Sequence, residues 1–214
     1  MTPKELSQRH PRLFHVTQAG AGPSIRSIGL LSTTSLLDLF GIGGARRAAI
    51  ERTCRPAGVP LYHPSLGPVV ITDQRPMTET ALAQCLDDGL TPVDWLALLN
   101  ARVFFWASEA GLARLLGARS NRTRDLDILV IDTLSLAEAY AETIEICPIN
   151  SGATMRRPAR RGAGTFTRLL AQSHQDWSRK RGRRDKILEV TVLGGVPDIA
   201  RHVLEVRPAP AASR

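Results

Sequence analysis

The stretch Leu13-Phe14-His15-Val16-Thr17, followed closely by Ser24-Ile25-Arg26-Ser27-Ile28-Gly29-Leu30-Leu31-Ser32, decides how this chain reads. Leu13, Phe14 and Val16 are the apolar residues of a strand. Strand side chains alternate, so His15 and Thr17 share one face and present an imidazole and a hydroxyl together. Ser24 fits a helix cap, Ile25 and Ile28 have the spacing of one buried helical face, and Gly29 stands where a short helix stops. A second short strand is expected from Leu30. Two readings of His15 stay open at this point: a ligand contact, or a histidine hydrogen-bonded within a sheet.

Outward from this unit the pattern alternates short helices and strands without a repeat. Helices are predicted over 35–40 and 45–55, broken by Gly41-Ile42-Gly43-Gly44, which lacks the preceding strand and the glycine spacing of a dinucleotide fingerprint. Extended pieces punctuated by Pro and Gly run over 59–74, and a helix is predicted over 78–88. Thr91-Pro92-Val93-Asp94 reads as a capped helix start that turns Trp95, Leu98 and Leu99 to the core. Further strands are predicted over 126–132, 142–149, 186–193 and 203–206, with a helix over 134–141 and a short one after Pro197. Separate strands joined by unlike elements argue for an α+β domain with two small packed β-sheets and peripheral helices. The expected organisation is an N-terminal tail over 1–10, one domain over 11–207 and a disordered tail over 208–214.

Composition bounds the partners. The chain has 214 residues, 43% of them hydrophobic, and no apolar run of about eighteen that a membrane span needs. No signal peptide opens it, so a cytoplasmic protein without a membrane partner is expected. The three cysteines, Cys54, Cys85 and Cys147, lack zinc-ligand spacing, and no metal is expected. The formal charge is +8, and residues 156–186 alone carry +9 from nine arginines and two lysines against two aspartates. Such a concentrated excess fits a polyanion, with a solvated basic loop as the alternative. Arg179, Arg181, Arg183 and Arg184 are the candidate nucleic-acid contacts. Phe166 and Trp177 lie on a helix predicted over 165–180, where their spacing assigns them to its buried side.

Two further segments carry candidate chemistry. Phe104-Phe105-Trp106 is a run of three aromatics in a chain that is 5% aromatic. Packing accounts for Phe104 and Trp106, while Phe105 points to the other face and is the candidate to stack on a ligand ring. Ser108 serves only as a helix cap. Glu189 interrupts the apolar run Ile187-Leu188-Glu189-Val190-Thr191-Val192, and a carboxylate in mid-strand either faces water or sits in a cleft. Asn150-Ser151-Gly152-Ala153-Thr154 is a polar turn able to offer amides and hydroxyls.

The His-x-Thr strand, the short helix and Gly-Leu-Leu-Ser resemble the amino-terminal signature of the ADP-ribosyltransferase fold. Leu188 to Val192, then Gly195 to Ile199 and Val203 to Val206, are similar to the carboxy-terminal end of DarT-type DNA ADP-ribosyltransferases, and Phe104 to Ala107 resembles their central aromatic strand. These three blocks cover about a third of the chain. The layout from Leu13 to Val206 is also similar to a group of uncharacterised bacterial proteins. The asparagine expected soon after His-x-Thr is absent, and Arg46, Arg47, Arg52 and Arg75 are equal candidates for the arginine beside NAD.

The resemblance implies an ADP-ribosyltransferase-like fold and an NAD-dependent enzyme that transfers ADP-ribose to a nucleic acid and releases nicotinamide. Glu189 would be catalytic, and His15, Thr17, Ser32, Phe105, Asn150 and Ser151 would bind NAD, with an antitoxin or hydrolase as partner. Two alternatives remain: a tRNA 2′-phosphotransferase-like enzyme, which shares only the histidine block and relies on arginines where Glu189 stands, and a noncatalytic nucleic-acid-binding module.

Overall fold

The computed structural model describes residues 1–155, 157–181 and 187–210, the side chain of Arg181 excepted. In chain order its elements are α1 (Pro3–Arg9), β1 (Arg12–Gln18), α2 (Gly22–Ile28), β2 (Leu30–Leu31), α3 (Thr33–Leu39), α4 (Gly44–Glu51), β3 (Val59–His63) and β4 (Gly67–Ile71). There follow α5 (Glu79–Ala83), α6 (Pro92–Asn100), β5 (Arg102–Trp106), α7 (Glu109–Leu116), β6 (Leu126–Asp132), α8 (Thr133–Ala139), β7 (Ile144–Cys147) and β8 (Thr167–Arg168). The last are α9 (His174–Arg181), β9 (Glu189–Leu193), β10 (Gly195–Val196) and β11 (Val203–Pro208), with single 3-10 turns at Leu169–Ala171 and Ile199–Arg201.

The class is α+β, but the sheets differ from the expected pair of small ones. Seven strands form one antiparallel sheet in the order β11-β6-β1-β5-β9-β7-β8, and β10-β2 and β3-β4 form two-stranded sheets. The large sheet is joined at its middle by a single pair. β1 runs along β6 over all its residues, whereas it meets β5 only at Phe14 and Trp106. Past that pair the two strands part, leaving a three-stranded and a four-stranded half. His15 fills the gap by donating its Nδ1–H to the Phe104 carbonyl at 2.9 Å.

Alternation assigns the two faces of the sheet. On one, Leu13, Leu129, Ile131, Val103, Phe105, Val190, Val192, Ile144 and Ile146 form the main core under α1, α8 and α9. On the other, Phe14, Ile128 and Val130 pack on Leu112 of α7, and Phe104 and Cys147 pack on Trp95, Leu82 and Phe166. Each such large apolar side chain contributes about 1.5–3 kcal/mol when buried. The caps expected at Ser108 and Thr91 are present: each side chain accepts from a first-turn N–H, and Asp94 returns a bond to Thr91.

Several boundaries depart from the sequence reading: the helices predicted over 45–55 and 78–88 stop at Glu51 and Ala83, and the strands predicted over 142–149 and 186–193 shorten to Ile144–Cys147 and Glu189–Leu193. Residues 1–10 are not a tail: Thr2 and Glu5 form a reciprocal cap, Pro3 opens α1, and Met1 and Leu6 are buried. Ser24 lies inside α2, which starts two residues earlier, and donates to the Ala21 carbonyl. The helix predicted over 165–180 is split, because Thr167 and Arg168 pair with Ile146 and Glu145 on the sheet edge and Ser173 caps a new helix by accepting from Asp176 N–H. At the other end Pro208 closes β11 and Ala209 N–H bonds the Leu126 carbonyl, so the tail expected over 208–214 does not begin at 208; residues 211–214 lie outside the described residues.

Candidate functional site

A cleft of about 410 Å³ opens where the sheet parts. His15 and Thr17 enter it from β1, Arg102, Val103 and Phe104 from β5, and Glu189 from the start of β9. One wall is α2 and β2, with Ser24, Ile25 and Leu30; another is β4 and the 72–77 loop; a third is the turn from Asn150 to Ala153. The first wall is fixed by two close approaches. Gly29 has φ +96°, and a Cβ there would stand 2.5 Å from Pro197 Cα; Gly195, at φ +119°, leaves room for the Leu30 carbonyl as β2 pairs with β10. Only glycine accepts both the backbone conformation and the contact.

Glu189 is 4% exposed, opposite Trp106 on β5 and Cys147 on β7. Its carboxyl accepts the Ser151 hydroxyl at 2.7 Å and the Ser151 N–H at 3.2 and 3.3 Å. Burial pushes its pKa up to about 7, against the lowering effect of the Ser151 bonds, Cys147 and the Arg161 charge. The carboxyl therefore changes charge near neutral pH, where a group that accepts a proton and returns it works best. The Cys147 thiol beside it is held protonated by burial and by Glu189.

His15 is half-buried, and its pKa is lowered by burial, against a smaller raising effect of the Phe104 carbonyl. A carbonyl only accepts, so Nδ1 carries the proton; in the neutral ring Nε2 is then an acceptor. Thr17 lies two residues along the same face.

A second carboxylate on the Glu189 face, Glu145, is differently occupied. Arg102 grips it with Nε at 2.7 Å and Nη2 at 3.3 Å, and Arg168 approaches to 3.6 Å. Arg102 also covers the Phe166 ring at 4.3 Å. Such a bidentate buried pair is a structural anchor beneath the cleft. Sequence reasoning missed it, although a carboxylate within an apolar strand is the same signal that marks Glu189.

Of the sequence-derived site residues, His15, Thr17, Asn150, Ser151 and Glu189 line this one cleft. Phe105 does not: it is fully buried in the main core, its ring edge-on to His15 with centroids 5.8 Å apart. Phe104 lines the cleft instead: it shares the sheet face of Glu189, while His15 and Thr17, on the face of Leu13, meet the same cleft where the sheet parts. Ser32 is also absent from the lining. It caps α3, accepting from Ser35 N–H at 3.1 Å, and so supports Thr33 and Leu36, which do line the cleft.

Among the four arginines left open, Arg75 reaches the cleft, 52% exposed and 3.2 Å from the Asp73 carboxylate, which Arg124 also binds. Arg47 is tied to Asp38 and Glu51 on α4 and lines no part of it.

The basic segment is less free than its charge suggests. Arg161 is buried, Arg160 pairs with Asp87, and Arg168 meets Glu145 and the Glu142 carbonyl. Arg179 is 68% exposed, with Asp176 at 3.5 Å. Arg183 and Arg184, like the side chain of Arg181, lie outside the described residues. Phe166 and Trp177 are buried, as their spacing implied, though Phe166 precedes the helix.

The chain belongs to a family of unknown function, DUF7002, whose model matches residues 11–203 and so spans the cleft from β1 to β9. No curated protein matches it. Among the described residues no helix is long and apolar enough to cross a membrane.

Proposed function

We propose that the cleft of this DUF7002 protein binds NAD and that the protein is an NAD-dependent ADP-ribosyltransferase. The observation that carries this reading is the meeting of a buried carboxyl at Glu189 with His15 and Thr17 in one cleft, at the place where the sheet parts. The resemblance of the histidine strand and of the Glu189 strand to DarT-type enzymes supports it from sequence.

The chemistry follows from the bond to be broken. Cleavage between nicotinamide and ribose C1′ passes through an oxocarbenium-like transition state, so a carboxylate close to the ribose is worth more there than in the ground state. Nicotinamide leaves with the bonding electron pair, which neutralises its ring nitrogen. The acceptor then bonds to C1′, and Glu189 takes the proton that the acceptor loses. His15 Nε2 and the Thr17 hydroxyl orient the second ribose, Asn150 and Ser151 hold the Glu189 side of the cleft, and Arg75 faces the diphosphate. A nucleic acid is the proposed acceptor, because the basic excess lies immediately before Glu189 in the chain.

Glu189→Gln keeps the size of the side chain and removes its charge. With acceptor present, it is expected to lower nicotinamide release at least about a hundredfold, the scale of losing a transition-state stabiliser. Turnover equal to wild type would rule out Glu189 as the catalytic group, and wild-type protein that neither binds NAD nor releases nicotinamide would rule out the function.

A further inference from the structure

Arg161 does not line the cleft and is 1% exposed, yet it makes no ion pair among the described residues. Its guanidinium donates only to main-chain carbonyls: Nη1 to Ser151 at 2.8 Å, Nη2 to Ala153 at 2.9 Å and Nε to Ala159 at 3.0 Å. It lies 5.7 Å from the Trp95 ring centre, and the Trp95 indole N–H donates to the same Ser151 carbonyl at 3.4 Å. Burying a cation without a carboxylate partner is costly, so the bonds it makes must fix something that an uncharged turn would leave loose. What they fix is Ser151, whose carbonyl is gripped on one side while its N–H and hydroxyl meet Glu189 on the other.

We propose that Arg161 is a positioning residue for Glu189: its planar fork, with Trp95, clamps the Ser151 carbonyl and thereby sets the two Ser151 donors against the carboxyl. A lysine cannot replace it, because one ammonium does not span three diverging carbonyls in a fixed plane. The charge also acts through space. Of the groups around Glu189, the two Ser151 donors and Cys147 on β7 favour the ionised carboxyl through hydrogen bonds, and the Arg161 cation adds a smaller effect through space, with Arg102 on β5 committed to Glu145 and His15 on β1 bonded to the Phe104 carbonyl. The activity part of this inference rests on the NAD reading; the titration part does not.

The test compares wild type, Arg161→Lys and Arg161→Gln by carboxyl-resolved NMR of Glu189 across neutral pH, alongside nicotinamide release. In Arg161→Gln the Glu189 midpoint is expected to rise by about one pH unit, chiefly because the Ser151 donors loosen and in smaller part because the cation is lost. In Arg161→Lys the charge is kept and the clamp is not, so the midpoint rises by less than in Arg161→Gln as the Ser151 donors loosen, while kcat falls about tenfold or more with KM little changed. An unshifted midpoint in Arg161→Gln, or full turnover in Arg161→Lys, would overturn the assignment. If Arg161→Gln does not fold, a double-mutant cycle of Arg161→Lys with Ser151→Ala on the Glu189 midpoint decides: coupled effects support the clamp, and additive effects refute it. Wild type that releases no nicotinamide removes the enzyme reading, while the titration still decides the role of Arg161.

Discussion

Glu189 brings a stability cost that grows with pH. Its pKa in the folded protein, about 7, lies above the 4.5 of an unperturbed glutamate, so between those values the folded state binds the extra proton. Below about pH 4.5 the carboxyl is neutral in both states and this contribution to stability is fully present; it is lost as pH rises through about 7. The loss is at most about 3–4 kcal/mol, from roughly 1.4 kcal/mol per pH unit. Melting temperatures at about pH 5 and pH 8 should therefore fall further in wild type than in Glu189→Gln, whose amide does not ionise. An equal fall in both proteins would trace the pH dependence to another group. On the proposed function, nicotinamide release should rise over the same interval, because an ionised carboxylate is what stabilises an oxocarbenium-like transition state. His15 is expected to behave differently. His15→Ala leaves the Phe104 carbonyl beside the cleft, where water can replace the lost donor, so NAD affinity should drop with little change in melting temperature. A large drop in melting temperature with unchanged affinity would make it a purely structural histidine.

The aromatic strand β5 separates packing from binding at adjacent residues. Phe105 is fully buried beside Val190, and Phe105→Ala is expected to cost about 3–5 kcal/mol, whereas Phe104→Ala should cost less stability and weaken NAD binding. Urea unfolding with NAD titration on both variants checks this, and the reverse order of effects would place the cleft on the other face of the sheet. Alternation in the sequence does put these two rings on opposite faces, but which face meets the ligand depends on where β1 and β5 part, and no local signal marks that point. Helix α1 is the opposite case. Thr2-Pro3-Lys4-Glu5 has the same pattern as Thr91-Pro92-Val93-Asp94, a capping hydroxyl, a proline at the first turn and an acid that returns the bond, and both build a helix start. The first carries no long apolar face to mark it as a helix in the sequence. One buried leucine suffices: Leu6→Ala should cost about 2–5 kcal/mol, measured by the same unfolding experiment. Arg161 is harder to find from sequence, since its partners are carbonyls, which every residue has.

At the scale of the whole molecule the question is where +8 of charge goes. Composition places the excess in residues 156–186, but folding divides it: Arg161 is turned inward onto the 151–153 turn, while Arg160 and Arg168 are matched by Asp87 and Glu145. Charges paired in this way release few counterions on meeting a phosphate, so they add little to binding of a polyanion. In sequence, Arg179, Arg181, Arg183 and Arg184 stand just before the Glu189 strand, and of these Arg179 is 68% exposed, with Asp176 at 3.5 Å. Reversing Arg179, Arg181, Arg183 and Arg184 to glutamate should therefore weaken nucleic-acid binding to a similar degree for every sequence, because phosphate contacts position a polymer without reading it. Reversing Arg168 instead would set a like charge against Glu145 and should lower the melting temperature. On the proposed function, the fourfold variant should keep slow NAD hydrolysis by water and lose modification of a polynucleotide, since none of the four arginines is among the residues that line the cleft. Mobility shifts on single-stranded DNA and RNA at two salt concentrations, run beside the nicotinamide assay, separate capture of the acceptor from catalysis. Binding that ignores salt, or no binding to either polymer, would remove nucleic acid as the acceptor and leave a protein or a small molecule to receive the ADP-ribose.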